Sequence, residues 1–154
     1  MSLSAEYPGR MDNDADRIVV DNGKRTLTLN ELARTQPGMD QLMAAMAERA
    51  RRLYFAGTAG NWPLAAYFCR SLGKRLRESA FVRPKYAEAM AEFLDVDYAP
   101  LRDAVADRDA AAFAAAWDHV VERVNHWHEE FGKGYIVYQT PDTPPPDLDL
   151  TPRA

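Results

Sequence analysis

Three histidines, one cysteine and a run of late carboxylates are the side chains with the most chemical reach in this chain. His119, Glu122, His126 and Glu129 fall at steps of three, four and three. On a helix, that spacing brings imidazoles and carboxylates to one face, within reach of a single metal ion. The competing reading is a solvated polar stripe, salt-linked to the basic first half of the chain. Di-iron sites in helical bundles draw Glu-x-x-His ligands from several helices. Here the order is reversed, and the other expected helices offer no matching set. His126 and His128 stand two apart and diverge on a regular helix, so they cannot chelate together. Cys69 lies on an apolar helical face, where a cysteine behaves as a small buried hydrophobe. There is no Gly-x-Ser-x-Gly turn, and Gly57-Thr58-Ala59-Gly60 lacks the lysine and strand context of a nucleotide loop. The expectation is a protein that is not an enzyme.

The elements that must position these groups follow from periodicity. Residues 1–36 read as a polar N-terminal arm, with Asp12, Asp14 and Asp16 clustered before the apolar patch Ile18-Val19-Val20. The Asn22-Gly23 pair predicts a small hairpin joining residues 17–21 to 25–29. Past Pro37-Gly38, Met39, Leu42, Met43, Met46, Ala50, Leu53 and Tyr54 mark a first helix ending in Gly57–Gly60. Asn61, followed by Trp62-Pro63, supplies an N-cap and a first-turn proline for a second helix, whose buried face is Leu64, Ala65, Phe68, Cys69, Leu72 and Leu76. Arg83-Pro84 breaks the chain before a third helix, bent or restarted over residues 97–100. Asp109 caps a fourth, whose stripe runs through Phe113, Trp117, Val120, Val124, Trp127 and Phe131. The predicted fold is all-α, an antiparallel up-down-up-down four-helix bundle over residues 37–134. An extended, proline-rich tail over residues 135–154 lies across it or hangs free.

Two stretches carry a resemblance. Leu53-Tyr54-Phe55-Ala56-Gly57, then Asn61-Trp62, Leu64-Ala65 and Tyr67, resembles the first helix junction of small bacterial c-type cytochromes with a cytochrome c′-like bundle. Val124-Asn125-His126-Trp127-His128, followed by Gly132-Lys133-Gly134-Tyr135-Ile136-Val137, is similar to the segment in which that family carries Cys-x-x-Cys-His and then Gly-x-Gly-Phe-Ile-Val. The resemblance places Val124 and Trp127 at the two cysteine positions and His128 at the iron-ligating histidine. Thioether bonds need thiols, which valine and indole cannot supply. Some relatives also carry a histidine where this chain has Ala50. Two expectations follow. In the first, Trp127 and its neighbours fill the volume haem occupies in relatives, no cofactor is bound, and the bundle serves a structural or binding role. In the second, His128 faces a pocket lined by Met43, Met46, Tyr54 and Trp127 that takes haem non-covalently, as a redox or sensor protein would. A homodimer pairing through the first two helices is a further implication of the resemblance.

Composition bounds the rest. At 154 residues and 47% hydrophobic content, the chain suits one domain with polar ends. No stretch approaches the ~20 apolar residues of a membrane span, so a soluble protein with no membrane contact is expected. Met1-to-Arg10 has no secretory pattern, which favours a cytoplasmic location, or a periplasmic one for a chain trimmed of its leader. The net charge of −4 argues against nucleic acid. It is uneven: residues 24–85 hold twelve basic against four acidic groups, and residues 86–154 five against fourteen. Either helices from the two halves neutralise one another, or Arg49, Arg51, Arg52, Arg70, Lys74, Arg75 and Arg77 form a basic face that docks an acidic protein partner.

Overall fold

In a computed structural model the chain is mostly helical, with one small two-stranded sheet. The structure describes residues 17, 19–21 and 23–152. Asp12, Asp14, Asp16, Ile18 and Asn22, which figured in the sequence reading, lie outside the described residues. The chain divides into two compact units, Met1–Pro37 and Gly38–Ala154.

The first unit contains the expected hairpin in shorter form. Strand β1 (Val19–Asp21) pairs antiparallel with β2 (Thr26–Thr28), in the register Val19 to Thr28, Val20 to Leu27 and Asp21 to Thr26. Leu29, expected in the second strand, instead opens a short helix, α1 (Leu29–Ala33). The reason is a capping box. The Thr28 hydroxyl accepts from the Glu31 amide at 3.1 Å, and the Glu31 carboxylate accepts from the Thr28 amide at 2.8 Å.

The second unit carries the hydrophobic core. Helix α2 (Met39–Thr58) and helix α3 (Trp62–Val82) are joined by three residues and pack on each other. Gly60 makes the turn at a φ of +72°, a conformation glycine adopts without a Cβ clash. Asn61 caps α3 as expected, its side-chain oxygen accepting from the Leu64 amide at 3.3 Å. The predicted third helix is resolved into pieces: a 3₁₀ turn (Pro84–Tyr86), α4 (Ala87–Glu92), a π-helical turn (Phe93–Asp97) and α5 (Ala99–Asp107). Pro100 has no amide to donate, and the ladder widens just ahead of it, with Tyr98 N–H reaching the Phe93 carbonyl at 2.8 Å. Asp109 then caps α6 (Ala110–Glu130), accepting from the amides of Ala111 and Ala112 at 2.9 and 3.0 Å. Helix α6 packs against α5 and α2, and α3 packs against α4 and α5.

The core centres on Leu53, Leu101, Phe113, Trp117 and Tyr98, all essentially without solvent exposure. Trp117 stacks on Phe113 with ring centroids 6.5 Å apart and meets Tyr54 at 4.8 Å. Among the described residues, no helix is long and apolar enough to cross a membrane. Gly57 lets α2 and α6 approach, because a Cβ at this position would run into the Phe113 ring. Gly57→Ala should therefore cost about 1–3 kcal/mol through overpacking, although alanine favours a helix interior by ~1 kcal/mol. A urea melt checks this, and an unchanged or raised midpoint would mean that the Phe113 ring shifts freely.

Candidate functional site

The corner formed by the end of α6 and the segment behind it holds Val124, Trp127 and His128 from the sequence reading. Helix α6 ends at Gly132, whose φ of +66° reverses the chain, with the Lys133 amide donating to the His128 carbonyl at 2.6 Å. The returning chain lies beside α6. His128 Nδ1 stands 2.8 Å from the Ile136 carbonyl. A carbonyl oxygen only accepts, so Nδ1 must carry the proton, and in the neutral ring Nε2 is left as the lone-pair nitrogen. Asn125 clamps the same segment twice, donating from Nδ2 to the Tyr138 carbonyl at 2.9 Å and accepting the Tyr138 amide at 2.7 Å.

Trp127 is half-buried at this corner, packed against the core. Its ring stacks on Phe131 at 6.1 Å, Phe131 meets Tyr86 edge-on at 4.8 Å, and the Arg123 guanidinium lies 5.7 Å from the indole centroid. Its Nε1 is buried with no hydrogen-bond partner. Val124 packs on the core beside it. Of the other proposed pocket residues, Met46 is buried, Met43 packs on the core, and Tyr54 is turned to Trp117. Their side chains contribute to the core itself, while His128 is directed to the returning segment.

The polar stripe of α6 does not gather into a metal cage. Among the described residues, no three His, Cys, Asp or Glu side chains come close enough to hold an ion. His119 faces Asp97 on the π turn at 3.3 Å, His126 meets Trp127 edge-on, and Glu122 and Glu129 are exposed. A single helix supplies ligands on one side only, and the facing element presents Asp97, which His119 and Arg123 already contact. Asp97, only 5% exposed, accepts from Arg123 Nε at 3.1 Å, and its second oxygen has no partner. Sequence reasoning missed this buried acid. The available signal was the apolar run from Phe93 to Ala99, interrupted by Asp95 and Asp97 ahead of Pro100.

Cys69 sits in α3 as the acceptor of the Tyr98 hydroxyl, which lies 3.0 Å from its carbonyl and 3.2 Å from its sulfur. Burial raises the thiol's pKa, against the hydrogen bond from Tyr98, and burial also pushes the Tyr98 phenol well above its usual value. No nucleophile is being prepared here.

The proline-rich tail lies across the helices rather than hanging free. Arg51 donates to the carbonyls of Thr143 and Pro144 at 2.9 and 2.8 Å, and Arg52 to Asp147 at 2.8 Å. Trp117 Nε1 donates to the Thr140 hydroxyl at 3.0 Å, and Asn61 Nδ2 to the carbonyls of Leu150 and Thr151. The expected neutralisation between halves takes a different form. Arg52 pairs with the acidic tail, while Arg51, Arg52, Lys74 and Arg75 also pair with Glu48 or Glu78 on their own helices. Neighbours one turn apart need no second helix to meet.

No protein-family model matches the chain, and no curated protein or solved structure matches it.

Two outcomes follow from this geometry. The hydrogen bond from Arg52 holds the Asp147 carboxyl below its usual pKa. A carboxyl depressed in the folded state contributes above its unfolded value of ~3.9 and loses that contribution as pH falls through the folded value. Backbone amide shifts over residues 143–151 should therefore move on acidification below about pH 4. Asp147→Asn should lack that step, and a wild-type tail that stays unchanged there removes the role. Cys69 should resist a disulfide reagent at about pH 8, near the ordinary thiol pKa, and react once the chain is denatured. Rapid reaction in the native protein would show that the thiol is open.

Proposed function

We propose that the unit over residues 38–154 is an up-and-down four-helix bundle related to the small c-type cytochromes. In this reading it has lost covalent haem and serves as a non-enzymatic structural or binding protein. The neighbour relations support the fold: α2 on α3, α3 on α4 and α5, α5 on α6 and α6 back on α2 close a ring, with short connections between successive helices. One observation carries the functional reading. The indole of Trp127, at a position where the resemblance expects a thioether cysteine, is packed into the Trp127–Phe131–Tyr86 aromatic row. Covalent attachment does not fit the residues present, because Cys69 is the chain's one cysteine and lies in α3 against Tyr98. An apolar slot of haem size left empty would be costly, and aromatic side chains are its natural filling.

A second reading, reversible haem binding, draws on His128. Histidines that ligate metals usually donate their other ring nitrogen to a carbonyl or carboxylate, which fixes the tautomer. The bond to Ile136 puts His128 in that state, with Nε2 available. Haem bound there would supply redox or gas-binding chemistry, and His128 would be its axial ligand.

A homodimer through α2 and α3 is compatible with either reading, as is an acidic partner on their basic face. Arg51 and Arg52 are already committed to the tail and Glu48, and Lys74 and Arg75 share Glu78, which leaves Arg49, Arg70 and Arg77 as the more available part of that face.

A haemin titration followed at the Soret band, with His128→Ala as control, separates the two readings. The first expects featureless, non-saturating spectra. One-to-one saturation abolished by His128→Ala would overturn it in favour of reversible haem.

A further inference from the structure

Basic side chains outnumber acidic ones where α2 and α3 meet at Arg49, Lys74, Arg75 and Glu78. A cleft of about 150 Å³ there is lined by Arg49 from α2 and by Ser71, Lys74, Arg75 and Glu78 from α3. The α3 residues fall at i, i+3, i+4 and i+7, so they form one continuous stripe along the flank of the helix. Small Ser71 leaves the space that a longer side chain would fill.

Arg49 gives the cleft its character. Its Nε donates to the Ser71 hydroxyl at 3.1 Å and its Nη1 to the Ala45 carbonyl at 2.7 Å. Both acceptors are neutral, so the guanidinium is fixed in place without a counter-charge, and Nη2 is uncommitted. The nearest acid in sequence, Glu48, is occupied by Arg51 and Arg52. Glu78 is shared between Arg75 at 3.0 Å and Lys74 at 3.7 Å. Three cations therefore face one carboxylate. Ser71 accepts from Arg49, and its own hydroxyl proton remains free to donate.

We propose that this cleft is an anion site that takes a phosphate group, with Glu78 as the built-in competitor that an incoming phosphate displaces. A phosphate group brings close to two negative charges and several strong acceptor oxygens. That matches the remaining Nη2 edge of a fixed guanidinium on α2, with an arginine, an exposed ammonium and a hydroxyl along α3. A carboxylate would use only part of the set. The cleft has room for one tetrahedral oxyanion. Free phosphate and a phosphorylated small molecule share this chemistry. The proposal does not depend on the fate of haem at the other site.

The test is calorimetric titration of the full chain with inorganic phosphate and, separately, phenyl phosphate, in phosphate-free buffer at low salt. One-site saturation with a Kd on the order of 1 mM or tighter is expected. Lys74→Ala and Arg75→Ala should each weaken binding about fivefold, the size of one exposed charge contact. Glu78→Gln should tighten it by a similar factor, because the competitor becomes neutral. Lys74 is largely exposed, so its replacement leaves the fold intact. Tighter binding of phenyl phosphate would support a phosphorylated molecule as the ligand, and equal binding would support free phosphate. Two results overturn the site: no saturation in either wild type or Glu78→Gln, or an affinity unmoved by both Lys74→Ala and Arg75→Ala.

Discussion

Trp117 imposes a double demand, dry rings and a paired nitrogen, and much of the helical unit is arranged around meeting both. Its rings are covered by Tyr54 from α2 and Phe113 from its own helix, in a contact that depends on Gly57 having no side chain. Its Nε1–H cannot be satisfied by either apolar neighbour, and an unpaired buried donor costs about 1–3 kcal/mol. The partner is Thr140, delivered by the returning tail. The tail is therefore structural. Its extended, proline-rich backbone forms no helix or sheet ladder among the described residues, so its carbonyls are open to donors. Arg51, in the second half of α2, and Asn61, at the α2–α3 junction, supply those donors. The prolines also limit the freedom the tail loses on docking.

A second polar device ties α3, the π turn and α6 together. Tyr98 reaches the Cys69 carbonyl, and Asp97 reaches Arg123 and His119. The widened turn before Pro100 carries both residues, one tyrosine and one acid, into the buried layer. A buried carboxylate is costly unless its charge is answered. Arg123 answers it, and the same guanidinium lies over the Trp127 ring near the end of α6. The aromatic row at Trp127 and the charged contact at Asp97 thus share one residue.

The charge distribution bears on function. Ion pairs within helices and the contact of Arg52 with the tail leave the basic character of α2 and α3 largely uncompensated, above all at Arg49. Tyr135, Ile136 and Val137, all exposed, border the His128 corner without contributing to the core.

The sequence by itself marked the long helices α2, α3 and α6 and the caps that start α3 and α6, because those depend on neighbours a few residues away. Asn61, Asp109, Pro63 and the Gly57–Gly60 junction are local instructions, and the three-and-four spacing of Leu42, Met46, Leu53 and Phe113, Trp117, Val120 marks the buried faces. The hairpin was legible from Gly23, but the start of α1 was not, because Glu31 must fold back onto Thr28 before the capping box exists. The candidate site was legible only as residue types. Spacing placed His119, Glu122, His126 and Glu129 on one helix, yet whether they share an ion depends on what the facing element presents, and it presents Asp97 paired to Arg123. Likewise, nothing local in residues 138–151 signals that they are bound by Asn125, Trp117, Arg51, Arg52 and Asn61. Those partners lie 13 to 95 positions away, so only the tertiary structure could decide them.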